Sequence, residues 1–166
     1  WNMLKDFAKK KGLTPTATVL TAFALIIERW STESRFCLNL TLLNRMPIHP
    51  QVNDIVGDFT TINLLEVNLN DIKTFIEYAK DIQKRLFDDL DHKLFSGVEV
   101  IRELARRHSN KELMPIIFTS AIGSESTNVA SSKIEVNENG ISQTPQVFID
   151  CQAMDDENGL RINWDV

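Results

Sequence analysis

Much that would announce a function is missing from these 166 residues. There is no glycine-rich phosphate loop, no GxGxxG and no GxSxG. The chain therefore offers neither a nucleotide cradle nor a strained serine elbow. Its three histidines, His49, His92 and His108, are scattered without ligand spacing, which argues against a metal site. Two cysteines, Cys37 and Cys151, form no CxxC. They suit two small side chains in a reducing compartment such as the cytoplasm, with a bridge between them left open. No apolar run reaches the length of a membrane span, and the longest candidate, Ala22–Ile27, falls far short. No signal-peptide pattern is visible. Acidic residues outnumber basic ones, 23 to 18, for a net charge of −5. That balance is a poor match to nucleic acid or an anionic bilayer. Fixed-period repeats and low-complexity stretches are absent too.

What is present is an ordinary globular composition, 43% hydrophobic and 25% charged. The length suits one domain, or one lobe of a larger one, and can bury a core without disulfide or metal. The chain starts at Trp1 and stops abruptly at Trp164-Asp165-Val166. Both ends read as cut from a longer polypeptide.

Periodicity predicts the elements. Asn2–Lys11 has helical spacing and is stopped by Gly12. Thr14-Pro15 opens a second helix, about Pro15–Trp30, because a threonine hydroxyl can cap it and proline suits its first position. That helix is apolar nearly all round, as expected of a central core helix. Phe36–Leu43 alternates strictly, with Phe36, Leu38, Leu40 and Leu42 on one face and Cys37, Asn39 and Thr41 on the other. Met46–Asp58 reads as an ordered loop and Thr60–Val67 as a second strand. Asn70 or Asp71 is the expected cap of a long amphipathic helix running from Ile72 to Leu90, and a shorter helix follows at Gly97–Arg107. Ile116–Thr119 reads as a short strand, and serine-rich Gly123–Asn139 as a mobile loop or weak hairpin. Gln146–Gln152 and Leu160–Val166 are expected strands around an acidic turn at Asp155–Gly159. The fold expected is a single α/β layer sandwich, a mixed sheet with helices mainly on one face.

Three features have bland explanations. Asn39-Leu-Thr41 matches a glycosylation acceptor but lies inside a predicted strand. Arg102–Arg107 reads as a solvated helix face, and His108 as a cation near a helix end. Two segments resist such explanations. Pro115–Ser120 is an apolar strand ending in Thr119-Ser120. Ser142–Asp150, SQTPQVFID, places Gln146, Phe148, Asp150 and Gln152 on one strand face. An aspartate in mid-strand is unusual: either the strand is an edge and Asp150 lies in water, or Asp150 is buried and needs hydrogen-bond donors or a raised pKa, which would suit proton transfer.

Four segments resemble, in order, the later core motifs of heterocyclization domains of non-ribosomal peptide synthetases. They are TPTATVLTAFALIIERW at Thr14–Trp30, GDFTTINLL at Gly57–Leu65, PIIFTS at Pro115–Ser120 and SQTPQVFID at Ser142–Asp150. Trp164-Asp165 follows at the family's spacing, and LNLTLLNR at Leu38–Arg45 fits as well. The resemblance spans nearly the whole chain. It implies a chloramphenicol-acetyltransferase-like fold of two lobes with a tunnel between them, of which this chain would be the C-terminal lobe, residues 1–166. The family's DxxxxDxxS motif belongs to the other lobe and does not occur here. Asp54-Ile-Val-Gly-Asp58 is spaced differently, and the HHxxxD of ordinary condensation domains is also absent.

The resemblance further implies a reaction. Carrier-bound acyl and Cys, Ser or Thr groups are joined as an amide, and the side chain then cyclizes with loss of water to a thiazoline or oxazoline. The domain itself would bind no cofactor; phosphopantetheine would arrive on carrier domains. The implied partners are the missing N-terminal lobe, upstream and downstream peptidyl carrier domains and an adjacent adenylation domain, all in the cytoplasm. Thr119 and Asp150 match the family's catalytic positions. Asp150 would exchange protons with the ring nitrogen and the departing hydroxyl, and Thr119 would orient Asp150 or the hemiaminal. Gln146, by alternation on the side of Asp150, would hold the carboxylate or the substrate, and Ser120 would either assist in orienting substrate or pair with backbone. Arg45, Asp58 and Trp164 are expected to be structural: an Arg45–Asp58 ion pair bracing the loop, and Trp164 with Phe59 in the core. Other readings are a non-catalytic carrier-docking scaffold lobe, an ordinary amide-forming condensation lobe, and an unrelated acyltransferase of the same fold.

Overall fold

The sequence Thr14-Pro15 begins the element around which everything else is arranged. A computed structural model describes residues 1–71, 73–108, 114–123, 145–156 and 159–166, with the side chain of His108 outside that set. Helix α1 spans Asn2–Lys10 and α2 spans Pro15–Trp30. Between them Gly12 takes φ 72°, and the amides of Leu13 and Gly12 close back on the carbonyls of Ala8 and Lys9 at 2.9 and 3.1 Å. This is the left-handed helix stop that glycine makes easy. The Thr14 hydroxyl accepts the Ala17 amide at 3.1 Å, supplying the cap its sequence predicts.

Strand β1, Arg35–Leu43, is followed by a loop with a short helical turn at Val52–Asp54, and then by β2, Thr60–Asn68. Helix α3 covers Phe75–Asp91 and α4 Gly97–His108. The cap of α3 is Thr74, in a reciprocal box with Glu77, and not Asn70 or Asp71. The Thr-x-x-Glu spacing satisfies two backbone donors at once, which a lone Asn or Asp cannot do. Strands β3, Ile116–Ala121, β4, Ile149–Asp156, and β5, Gly159–Asp165, complete the chain. The polar segment expected at Gly123–Asn139 lies, beyond Gly123, outside the described residues, as do Ser142–Thr144 of the fourth motif.

The five strands form one sheet in the order β2-β1-β3-β4-β5. β1 pairs with β3, and β3 with β4, in parallel; the two outer pairings, β2 with β1 and β4 with β5, are antiparallel. The sheet is therefore mixed, as expected. Register assigns each side chain to a face. Leu38 and Leu65, Leu40 and Phe118, then Cys151 align across one face, and α2 and α3 bury it with Leu20, Phe23, Ile82 and Leu86. Each large apolar side chain fully buried there stabilises by roughly 1.5–3 kcal/mol. Helix α4 is the exception to one-sided packing. Its first residue, Gly97, sits on Ile62 and Leu64 of the opposite face, where a Cβ would come within 3.1 Å of the Ile62 carbonyl. A larger residue there would have to push β2 back by a few tenths of an ångström.

Candidate active site

The face opposite the core gathers the polar side chains of the central strands. Strand alternation brings Thr41, Thr119, Gln152 and Asn163 into one row, and Asn39, Ile117, Asp150 and Asp165 into the next. Thr119 and Asp150 thus occupy one face, on neighbouring parallel strands and two residues apart in register. The Thr119 hydroxyl donates to Thr41 Oγ1 at 2.9 Å. Gln152 Nε2 donates to Asp150 Oδ2 at 3.1 Å. The other carboxylate oxygen, Asp150 Oδ1, is buried with no hydrogen-bond partner. A buried acceptor with an unused lone pair is costly unless a donor arrives. Such an oxygen is placed to receive or release a proton from a bound substrate.

Of the two tasks expected of Thr119, orienting Asp150 or orienting the hemiaminal, the structure bears on the first. Thr119 uses its proton on Thr41, so it does not hold Asp150. Gln152 does, as the cross-strand neighbour of Thr119 on the same strand as Asp150. The alternation that placed Gln152 beside Asp150 was the available signal. Ser120 points to the other face, where it lies 3.3 Å from Thr16 Oγ1, because successive strand residues alternate. It does not join Thr119 and Asp150. Gln146 is not in a strand: β4 begins at Ile149, and Gln146 lies exposed in a turn at φ 69°. Its expected alignment with Asp150 therefore fails.

The cysteines do not supply a nucleophile here. Both are free. Burial pushes the Cys151 thiol up to about 11, against a smaller opposing effect of its hydrogen bond with Trp164. Cys37 is raised too, chiefly by burial and then by the Glu66 carboxylate. Thiols held protonated are poor nucleophiles. Among the described residues no group of His, Cys, Asp and Glu could hold a metal, and no helix is long and apolar enough to cross a membrane.

Comparison with known proteins identifies the frame. The family model for the condensation domain matches residues 2–165. The chain belongs to the condensation-domain family. It is 47% identical over 168 residues to pyochelin synthetase PchF of Pseudomonas aeruginosa, covering all of this chain and 9% of that protein. It is 38% identical over 161 residues to phenyloxazoline synthase MbtB of Mycobacterium tuberculosis, covering 96% of this chain and 11% of that one. The solved cyclization-docking bidomain of EpoB from Sorangium cellulosum superposes with a TM-score of 0.83 at 40% identity, over all of this chain and 34% of that one. The chain thus spans about a tenth of the curated relatives it matches. The chloramphenicol-acetyltransferase-like fold expected from the motifs is the one this condensation-domain chain adopts.

Arg45, Asp58 and Trp164 make structural contacts, with partners other than those expected. Arg45 and Asp58 form no ion pair. Arg45 Nη1 donates instead to the carbonyls of Val52 and, at 2.9 Å, Ile55, while its guanidinium lies 3.8 Å from the Phe59 ring centroid. A loop leaves carbonyls that need donors, and arginine has five N–H groups and a stacking face. Asp58 Oδ1 accepts the Thr60 amide at 2.7 Å. Hydrogen bonds from the Thr60 hydroxyl and amide hold its carboxyl below the usual range. Trp164 is no core residue. It is 37% exposed and packs edge-on to Phe23 and Trp30, at 5.4 and 5.8 Å between ring centroids. Its strand is the edge of the sheet among the described residues. Phe59 is half-buried against Arg45.

Proposed function

We propose that this chain is the C-terminal lobe of a heterocyclization domain and supplies the cyclodehydration groups of its active site. The observation that carries the reading is the open sheet face with Thr119 and Asp150 together and Asp150 Oδ1 unpartnered. The heterocycle in the name phenyloxazoline synthase, and the cyclization named for EpoB, support it. The acyl and aminoacyl groups would reach the site on phosphopantetheine arms of carrier domains, with an N-terminal lobe forming the other wall and an adenylation domain adjacent.

After amide formation, the thiol or hydroxyl of a Cys, Ser or Thr acceptor attacks the amide carbonyl carbon and gives a cyclic hemiaminal. Asp150 as a carboxylic acid protonates the hemiaminal hydroxyl, the C–O bond breaks, and water leaves. The carboxylate then takes the N–H proton as the C=N bond forms, which restores the acid. Hydroxide leaves poorly until protonated, and one positioned acid–base group contributes about 10²–10⁴-fold. Gln152 holds the carboxylate oxygen that does not react. Thr119, anchored through Thr41, turns its oxygen toward the hemiaminal as a hydrogen-bond partner.

The test uses the intact domain and mass spectrometry of the carrier-bound product. Wild type should lose one water beyond amide formation, and Asp150→Asn should stop at the linear amide. A folded Asp150→Asn protein that still closes the ring would sink the assignment. Linear amide alone from wild type, with Cys, Ser and Thr acceptors all tried, would favour ordinary condensation. No amide at all would favour a scaffold lobe.

A further inference from the structure

Threonines in the helices and strands of this fold send their protons to different places. In α2 the hydroxyls of Thr18 and Thr21 donate to carbonyls one turn back, those of Thr14 and Ala17, at 2.9 and 2.7 Å. A strand offers no such carbonyl, because its carbonyls point sideways into the ladder. Thr119 therefore turns to a side chain. Its register neighbours on the open face are Thr41 of β1 and Gln152 of β4. Gln152 spends its Nε2 on Asp150, and the Thr119 proton goes to Thr41 Oγ1 at 2.9 Å. Thr41 and Thr119 form the last rung of the β1–β3 pairing, and both are half-buried.

A hydroxyl carries one proton and two lone pairs. With its proton committed to Thr41, Thr119 has only lone pairs left for a substrate. Donating to Thr41 also polarises its oxygen and makes it a stronger acceptor. Thr41 in turn donates to none of the described residues. The two hydroxyls thus form a short chain with one direction, from Thr119 to Thr41.

We propose that Thr41 is a positioning residue: it holds Thr119 as the proton acceptor for the attacking side chain, and so decides how well hydroxyls close the ring relative to thiols. The inference rests on the heterocyclization reading. In the attack the new C–O or C–S bond forms as the carbonyl π bond breaks. The proton of the attacking side chain passes to Thr119 Oγ1, the Thr119 proton to Thr41 Oγ1 and the Thr41 proton to water. Water gives one proton to the former carbonyl oxygen. Each threonine ends as it began, and the product is the neutral hemiaminal. A thiol ionises at about pH 8.5 and is a strong nucleophile, so it needs little of this help. A serine or threonine hydroxyl stays protonated near neutral pH and gains most from an acceptor.

The test uses the intact domain and a carrier domain loaded with the linear amides N-acetyl-serine or N-acetyl-cysteine. It compares wild type, Thr41→Val, Thr41→Ala and Thr41→Ser. The readout is the single-turnover rate of water loss by mass spectrometry, which does not depend on amide formation. Thr41→Val, which suits a strand, should lower the serine-to-cysteine rate ratio by about tenfold. That is less than the roughly 10²–10⁴-fold of a group that touches substrate, because Thr41 acts through Thr119. Thr41→Ala removes the same hydroxyl and should give the same ratio, and Thr41→Ser should restore it. A merely structural role would slow both amides together. An unmoved ratio in Thr41→Val and Thr41→Ala would overturn the inference, and so would a Thr41→Ser ratio as low as theirs. Wild type that closes the cysteine amide alone, or the serine amide alone with no loss in Thr41→Val, would also count against it. Closure of neither amide by wild type would remove the heterocyclization reading itself.

Discussion

Phe118 and Thr119 are neighbours in the chain and sit on opposite faces of β3. Phe118 is 2% exposed and tilts against Phe23 with ring centroids 5.6 Å apart. Thr119 looks out over a face where polar side chains form rows and a carboxylate oxygen lacks a donor. On the covered face no buried side-chain polar atom among the described residues lacks a partner. Even the buried Thr21 hydroxyl is returned to the Ala17 carbonyl at 2.7 Å. The open face carries acceptors with no partner, Asn39 Oδ1 as well as Asp150 Oδ1. One sheet thus keeps its packed core and its unpartnered acceptors on separate sides, so the open face is imperfectly satisfied without loosening the core.

The contrast can be broken by substituting the two neighbours in turn. Phe118→Ala should cost about 3–5 kcal/mol by chemical denaturation, with activity falling only as the protein unfolds. Thr119→Val should cost about 0.5–1.5 kcal/mol, the worth of one hydrogen bond. It should nonetheless slow ring closure by up to about a hundredfold, because a small misplacement of a reacting group is that expensive in rate. If Thr119→Val unfolds the domain as severely as Phe118→Ala, the separation of faces is wrong. Thr74→Ala, remote from the open face, should cost about 1 kcal/mol through the α3 cap and leave the ratio of cyclized to linear product unchanged.

The smallest effect concerns acid. Glu66, on the open face, receives Arg35 Nε at 2.5 Å and also Arg85. The Arg35 hydrogen bond is the main cause that holds its carboxyl below the usual range. A carboxyl lowered on folding contributes stability that is present above its unfolded pKa. That stability is lost as pH falls through the lowered folded value. Glu66→Gln should therefore flatten the acid side of the stability profile, by no more than about 1 kcal/mol for so exposed a pair. A profile that steepens instead would mean the pair opposes folding.

Much of this was legible in the sequence, because local rules and tertiary outcome agreed there. Thr14-Pro15 caps α2 as its chemistry requires. The alternation of Phe36–Leu43 and of Ile149–Gln152 puts the right residues on the right faces. The failures have separate physical causes. A capping box at Thr74 outcompeted two isolated cap residues. The Pro145-Gln146 turn ended an apparent strand, since residue counting does not sense a positive φ. Arg45 found carbonyls where opposite charge suggested Asp58. Ser120 was grouped with Thr119 by motif although its parity already set it on the other face.

The two cysteines fall one to each face. Cys151 aligns with Phe118 in the core and is 2% exposed, while Cys37 aligns with Glu66 on the open side and is only half-buried. The chain therefore carries a natural pair of chemical clocks. The rate at which each thiol reacts with a neutral alkylating reagent, corrected for its raised pKa, reports how often its own side of the sheet opens. Any ligand that settles on only one side would slow one clock and leave the other running.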